Sequence, residues 1–206
     1  MIDDARFQFD NNLRIEKNIS YISGSDEAGR GAMAGPLVVA SVILPPDYVN
    51  EKINDSKKIP ERLREELFLE IKNIALAYEI GVYDNHFVDL NNPKKTSKIG
   101  MQDTINKLKI KPQLCLLDAE KIEVEFPSMP IIKGDAKSQT IAAASILAKV
   151  TRDHMMIELG KKYPQYGLEK HKGYCTKAHT ENLKKYGVVD CYRVTYRPVK
   201  DVLEGK

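Results

Sequence analysis

Apolar residues along the chain follow two rhythms, and the switches between them mark most of its elements. "ISYISGS" (19–25) and "PLVVASVIL" (36–44) read as β-rich runs joined by a Gly-rich turn, the second too apolar to be anything but buried. Past the turn-like "PPDY" and the polar "NDSKKIP", residues Leu63, Leu67, Ile71, Ile74 and Tyr78 recur at intervals of four, four, three and four. That spacing predicts one apolar face of a helix beginning near Pro60, a residue suited to the first helical position. "YEIGVY" alternates like a strand, "NNPKK" breaks it, and a helix is predicted over Lys98 to Leu108 with Ile105 and Leu108 inward. Two further apolar runs follow in "QLCLLDAE" and "MPIIKGDAKS". From Ser138 the chain has neither Gly nor Pro before Gly160, which predicts its longest helix. "YPQYGLEKHKGYCT" reads as a loop, a last helix runs from about Thr176 to near Gly187, and the tail "CYRVTYRPVKDVLEGK" is polar.

Three of the strand-like runs deliver acids at or just beyond their ends: Asp26 and Glu27, then Asp118, then Asp135. In an open α/β sheet that is where ligands bind. Carboxylates are hard oxygen ligands of the kind that hold Mg²⁺ or Mn²⁺, and two such ions roughly 3.5–4 Å apart can clamp an in-line phosphoryl displacement. Any one strand-end acid can equally cap a turn or a helix. In "AGRG", Gly29 and Gly31 allow close backbone approach and Arg30 adds a cation to the same turn. The acids precede this turn and no third glycine follows at the required spacing, which excludes a dinucleotide-binding fingerprint.

At 206 residues and 42% hydrophobic content the chain can bury a core as one domain, and it contains no repeat, low-complexity tract or linker. The formal charge is only +3, but His154 to Tyr186 carries seven Lys against three Glu, either a solvated helical face or a surface for an anionic partner. Cys115, Cys175 and Cys191 are odd in number and unpaired in spacing, which argues against a disulfide framework and for a reducing compartment. An acidic, polar N-terminus and the lack of any long apolar window point to the cytoplasm rather than to export or a membrane. His171, Cys175 and His179 lie four apart, as zinc ligands on a helix would, but Gly173 and the helix start at Thr176 break that geometry. Lys170, His171 and Lys172 beside Tyr174 read better as charge and a stacking ring for nucleic acid, with a core-packed tyrosine as the alternative. "NDSKK" (54–58) and the pair Ser145 and Lys149, four apart on one helical face, offer phosphate contacts or ordinary surface chemistry.

From Ile19 to Val199 these pieces stand in an order that resembles bacterial ribonuclease HII, a type 2 ribonuclease H. The resemblance is carried by "GSDEAGRGAMAGPLVVASVIL", "NDSKK", "LLDA", "KGDAKS", "AASILAKVTRD" and "YPQYGLEKHKGY". It implies a ribonuclease H-like α/β domain with a mixed five-stranded sheet, flanking helices and a small basic C-terminal helical element from about residue 154. It also implies that Asp26, Glu27, Asp118 and Asp135 form a catalytic site for two Mg²⁺ or Mn²⁺ ions. Gly29, Arg30 and Gly31 would recognise the ribose 2′-hydroxyl, the atom that distinguishes RNA from DNA. Tyr174 would stack on the following sugar, and Ser56, Lys57, Ser145, Lys149, His171 and Lys172 would lie in phosphate-contacting segments. The implied substrates are RNA/DNA hybrids and duplex DNA with embedded ribonucleotides, cut on the 5′ side of the ribonucleotide by a monomer that could dock on a replication protein. Two alternatives stand beside this reading. One is a ribonuclease HIII-like hybrid nuclease, a type with an extra N-terminal domain where only about twenty residues precede the first strand here. The other is a non-catalytic hybrid-binding module. One stretch departs from the family: "NNPKKTSKIGM" keeps Asn92 but replaces apolar positions with Pro93, Lys94 and Lys95, which leaves the local helix start open.

Overall fold

The computed structural model describes residues 4–206. β1 (Ile22–Ala28) and β2 (Leu37–Ile43) pair antiparallel, with Asp26 opposite Ala40 and Glu27 opposite Val39. β3 (Ala77–Tyr83) adds antiparallel to β2, whereas β4 (Leu114–Asp118) and β5 (Ser128–Ile131) extend the other side in parallel, giving the order β3-β2-β1-β4-β5. Every residue of β2 is buried because helices cover both faces of the sheet. Val38, Ala40 and Val42 pack with α2 (Glu61–Ile74) and α5 (Gln139–Lys162), while Leu37 and Val39 pack with α4 (Pro93–Lys107). A strand alternates its faces, so this division also tells which layer each acid of β1 faces.

The N-terminus of α5 lies directly on β1. A Cβ on Gly24 would stand 2.4 Å from the carbonyl carbon of Thr140, so only glycine permits that approach. The first turn of α5 is held by its N-cap Ser138, whose Oγ accepts from the N–H of Ile141, and by Asp10 of α1 (Ala5–Lys17). Asp10 Oδ2 accepts from both the N–H and the hydroxyl of Thr140, at 2.9 and 2.7 Å. An acid at a helix N-terminus also complements the helix dipole.

Several elements differ from the sequence expectation. Tyr78 continues the helical rhythm by coincidence: α2 ends when Ala75 turns extended, and Tyr78 lies on β3. "NNPKK" joins two helices rather than ending a strand, since α3 (Asn85–Asn91) precedes α4. Asn92 caps α4 by accepting from the N–H of Lys95, and Pro93 takes the first helical position, so the departure from the family pattern still starts a helix. The segment "YPQYGLEKHKGYCT" contains a helical turn, α6 (Leu168–His171), before α7 (Lys177–Tyr186). The polar tail forms α8 (Arg197–Leu203) and buries Tyr192 and Arg193. Met33, Ala34, Met156, Tyr166, Leu168, Leu183, Tyr192 and Val199 make a second, smaller core under this C-terminal part.

His179 belongs to that core, and its contacts exclude the zinc reading. Its Nδ1 faces the carbonyl of Tyr174 at 2.9 Å and must donate, so Nε2 accepts from the hydroxyl of Tyr192. Its ring stacks at 4.0 Å on His171, whose Nε2 faces the carbonyl of Tyr166, while Cys175 is exposed. Neither histidine has a ring nitrogen directed at a shared ion. Burial lowers the pKa of His179 to about 4, against an ordinary 6.5. The buried neutral ring therefore stabilises the fold fully above pH 6.5, and that contribution is lost as pH falls from 6.5 towards 4, by about 3 kcal/mol at the lower end. In urea titrations across this window His179→Gln should show a flatter pH dependence than the parent chain. Equal slopes would remove His179 from the acid lability.

Candidate active site

The alternation of β1 places its two acids on opposite faces of the sheet. Asp26 shares the α5 side with Ala40, and Glu27 shares the α4 side with Val39. Asp118 ends β4 on the face of Leu116, which packs with Ile22 and Ile141 on the α5 side. Asp135 stands in the single 3₁₀ turn that leads into α5. The four carboxylates thus surround the end of β1 and β4 from both faces. Among the described residues they do not close into a tight cluster of three ligands.

They nonetheless feel one another. Burial first, then the charges of Glu27, Asp118 and Asp135, raise the pKa of Asp26 well above the carboxylate range. Burial likewise pushes Glu27 up to about 7, opposed by Arg30 and reinforced by Asp118 and Glu120. Asp135 is raised by burial, Asp55 and Asp118. Asp118 Oδ1 accepts from the N–H of Gly134 at 2.7 Å, which ties β4 to the turn carrying Asp135. Glu27 Oε2 is buried and accepts no hydrogen bond. An all-oxygen donor set of like charges, one oxygen of it buried without a partner, fits a hard divalent cation.

Beside this rim lies a cleft of about 420 Å³ lined by Glu27, Gly29, Arg30, Gly31, Ser56, Lys57, Ser145, Lys149 and Tyr174. Gly29 is required on two counts: its φ is +92°, and a Cβ there would fall 2.0 Å from Nε of the buried Arg152. Gly31 has room for a Cβ, its nearest neighbour being Tyr174 Cε1 at 3.9 Å, so its bareness keeps the cleft open. Ser56 and Ser145 share a 2.8 Å hydrogen bond across the floor. Burial works to lower the pKa of Lys57, but Asp26, Asp55 and Asp135 outweigh it and raise it. Lys149 is lowered by burial despite a 2.6 Å bond to Asp153.

Two expected contacts point elsewhere. The His171 ring is engaged with the Tyr166 carbonyl and with His179, and Lys172 Nζ donates to the carbonyl of Glu169. Other residues of the site were not singled out from the sequence. Buried Glu120 joins Glu27 in gripping the Arg30 guanidinium, each at 2.9 Å. Arg152 donates to the carbonyls of Pro36, Ala34 and Lys172 and lies 5.3 Å from the centre of the Tyr174 ring. Position in "LLDAE", two residues past Asp118, was the available signal for Glu120. Arg152 sits inside "AKVTRD" with nothing local to mark it as buried.

A β3-β2-β1 antiparallel ribbon continued by parallel β4 and β5, covered by helices and carrying acids at its rim, defines a ribonuclease H-like α/β protein. The ribonuclease H2 from Pyrococcus horikoshii OT3 matches it with a TM-score of 0.78 at 26% identity, over 90% of this chain and 98% of that one. Bst-RNase HIII in complex with Mn²⁺ shares the fold, with a TM-score of 0.67 at 18% identity over 90% of this chain and 70% of that one. The family model for Ribonuclease HII matches residues 23–199. The Ribonuclease HII of Mycoplasma mycoides subsp. mycoides SC is 50% identical over 200 residues, 96% of this chain and 97% of its own. The chain belongs to the ribonuclease HII family and is a hydrolase of the ribonuclease H type.

The cleft separates residues that carry the fold from residues that face its opening. Tyr174→Ala removes a half-buried ring at the edge and should cost less than about 2 kcal/mol in urea unfolding, with the transition still cooperative. Gly29→Ala should cost more than about 2 kcal/mol, because a buried arginine stands where the methyl would go. The reverse order would mean that Tyr174 is the core residue.

Proposed function

We propose that this ribonuclease H cuts the phosphodiester on the 5′ side of a ribonucleotide, in RNA/DNA hybrids and at single ribonucleotides embedded in duplex DNA. The products carry 3′-hydroxyl and 5′-phosphate ends, and the cellular task is removal of misincorporated ribonucleotides and of RNA from hybrids. One observation carries the reading: Glu27 of the acidic rim lines the same cleft as the Gly29–Gly31 turn and Tyr174. Phosphate chemistry and inspection of a sugar can therefore act on adjacent positions of one strand.

Asp26, Glu27, Asp118 and Asp135 would hold two divalent ions, Mg²⁺ or Mn²⁺. Bound there, the ions would activate water and stabilise the leaving oxygen of an in-line displacement. The chain's own groups do the rest. Lys57 and Lys149 supply positive charge at the cleft, and the hydrogen-bonded pair Ser56 and Ser145 keeps one hydroxyl hydrogen to donate to a phosphate oxygen. The N–H groups of Arg30 and Gly31 donate to no acceptor among the described residues and can serve a 2′-hydroxyl. The Tyr174 ring, backed by Arg152, presents a flat face for the next sugar. Glu27 and Glu120 hold the Arg30 side chain, so recognition at this turn falls to its backbone. No described helix is long and apolar enough to cross a membrane, in keeping with an enzyme acting on nucleic acid in the cytoplasm.

The test is incision of a DNA duplex containing one ribonucleotide, beside an all-DNA duplex and a long RNA/DNA hybrid. Cleavage just 5′ of the ribonucleotide should require Mg²⁺ or Mn²⁺, vanish with chelator and spare the all-DNA control. Asp118→Asn should lower turnover by about 10³-fold or more while still binding the duplex. Cutting of the long hybrid alone would replace this reading with a hybrid-restricted nuclease. Full activity in the Asp118 variant would remove that carboxylate from the chemistry.

A further inference from the structure

Arg193 lies in the tail between α7 and α8, more than 150 residues from the Gly29–Gly31 turn, yet it is fully buried against that turn. Its Nη1 donates to the carbonyls of Gly29 at 2.8 Å and Arg30 at 3.3 Å, and its Nε and Nη2 both donate to the carbonyl of Gly35, at 3.1 and 2.9 Å. Nη1 also reaches the hydroxyl of Tyr196 at 2.9 Å, and that hydroxyl donates onward to the carbonyl of Arg30 at 2.5 Å. The Tyr196 ring lies 5.3 Å from the guanidinium. Among the described residues no carboxylate forms an ion pair with Arg193; backbone carbonyls satisfy its donors. Asp89 fixes the tail just beyond, accepting from the N–H groups of Val194 and Thr195.

A buried cation costs free energy, and tethering a tail to a sheet needs only apolar contact. What this cation does in addition is orient peptide planes. In a trans peptide the C=O of one residue and the N–H of the next point in opposite directions. Drawing the Gly29 carbonyl inward turns the Arg30 N–H outward, and drawing the Arg30 carbonyl inward does the same for Gly31. Those two N–H groups donate to nothing among the described residues, and both residues line the cleft. A cation behind the carbonyls also polarises the same peptide units, which strengthens their N–H groups as donors.

We infer that Arg193 and Tyr196 are positioning residues that aim the Arg30 and Gly31 amides into the cleft and thereby set its selectivity for a ribonucleotide. This rests on the proposed function. It predicts a loss confined to the ribose-dependent step, whereas a mere tether would lower stability and leave the selectivity of the folded protein intact.

The experiment measures kcat and KM on a duplex with one ribonucleotide, the inhibition constant of the matching all-DNA duplex as competitor, and the urea midpoint, for the parent chain, Tyr196→Phe and Arg193→Lys. Tyr196→Phe keeps the ring and loses the two hydrogen bonds of the hydroxyl, the one it donates to the Arg30 carbonyl and the one it accepts from Arg193 Nη1. It should reduce kcat/KM by roughly three- to tenfold with the all-DNA inhibition constant and the urea midpoint nearly unchanged. Arg193→Lys keeps the charge but not the fork and should lose more, on the order of tenfold or beyond. If that variant fails to fold, Tyr196→Phe alone decides. Selective cleavage by the parent that persists undiminished in folded Tyr196→Phe overturns the inference and leaves the proposed function standing. A parent chain that does not distinguish the two duplexes overturns both.

Discussion

Like charges gathered at the end of a sheet repel one another, and only a rigid frame keeps them together. Here the frame is the seating of α5 on β1 at Gly24, where backbone meets backbone without a side chain between. That contact sets the height of the turn carrying Asp135 relative to Asp26 and brings Ser145 and Lys149 to the cleft. The cost of the crowded acids shows in the upward shifts of Asp26, Glu27 and Asp135, which the packing of the two layers must absorb. Function at this rim thus depends on stability located elsewhere, in the buried β2 and its two helical covers.

Much of this was legible in the sequence where a periodic pattern ran long enough to declare itself. β2, α2 and α5 each present many apolar residues at one spacing, and the acids at the ends of β1 and β4 follow directly from where those runs stop. Helices with little apolar burial were not legible. α1, α3 and α8 bury few side chains each, and the first two owe their starts to the caps Asp4 and Asp84. Adjacent acids in "SDEAG" read as one pair, whereas strand alternation sends them to different layers of the fold. Nothing local in the sequence marks the roles of Glu120 and Arg193, because their significance lies wholly in partners distant along the chain.

Two arginines show how a loop with little apolar content acquires a fixed shape. Arg152 gathers the carbonyls of Ala34, Pro36 and Lys172, and Arg193 gathers those of Gly29, Arg30 and Gly35. The stretch from Gly29 to Pro36 is thereby bound from both sides by side chains of later elements. A planar fork with five donors suits this task as no lysine could. It also makes the turn complete only once the C-terminal part has docked.

The exposure of Cys175 has a practical corollary. Cys115 and Cys191 are buried, with thiols pushed up to about 11, so Cys175 is the one free thiol on the surface among the described residues. It adjoins Tyr174 at the mouth of the cleft. A fluorophore or spin label attached through ordinary maleimide chemistry would therefore mark one position beside the cleft, in the native sequence, without an engineered handle.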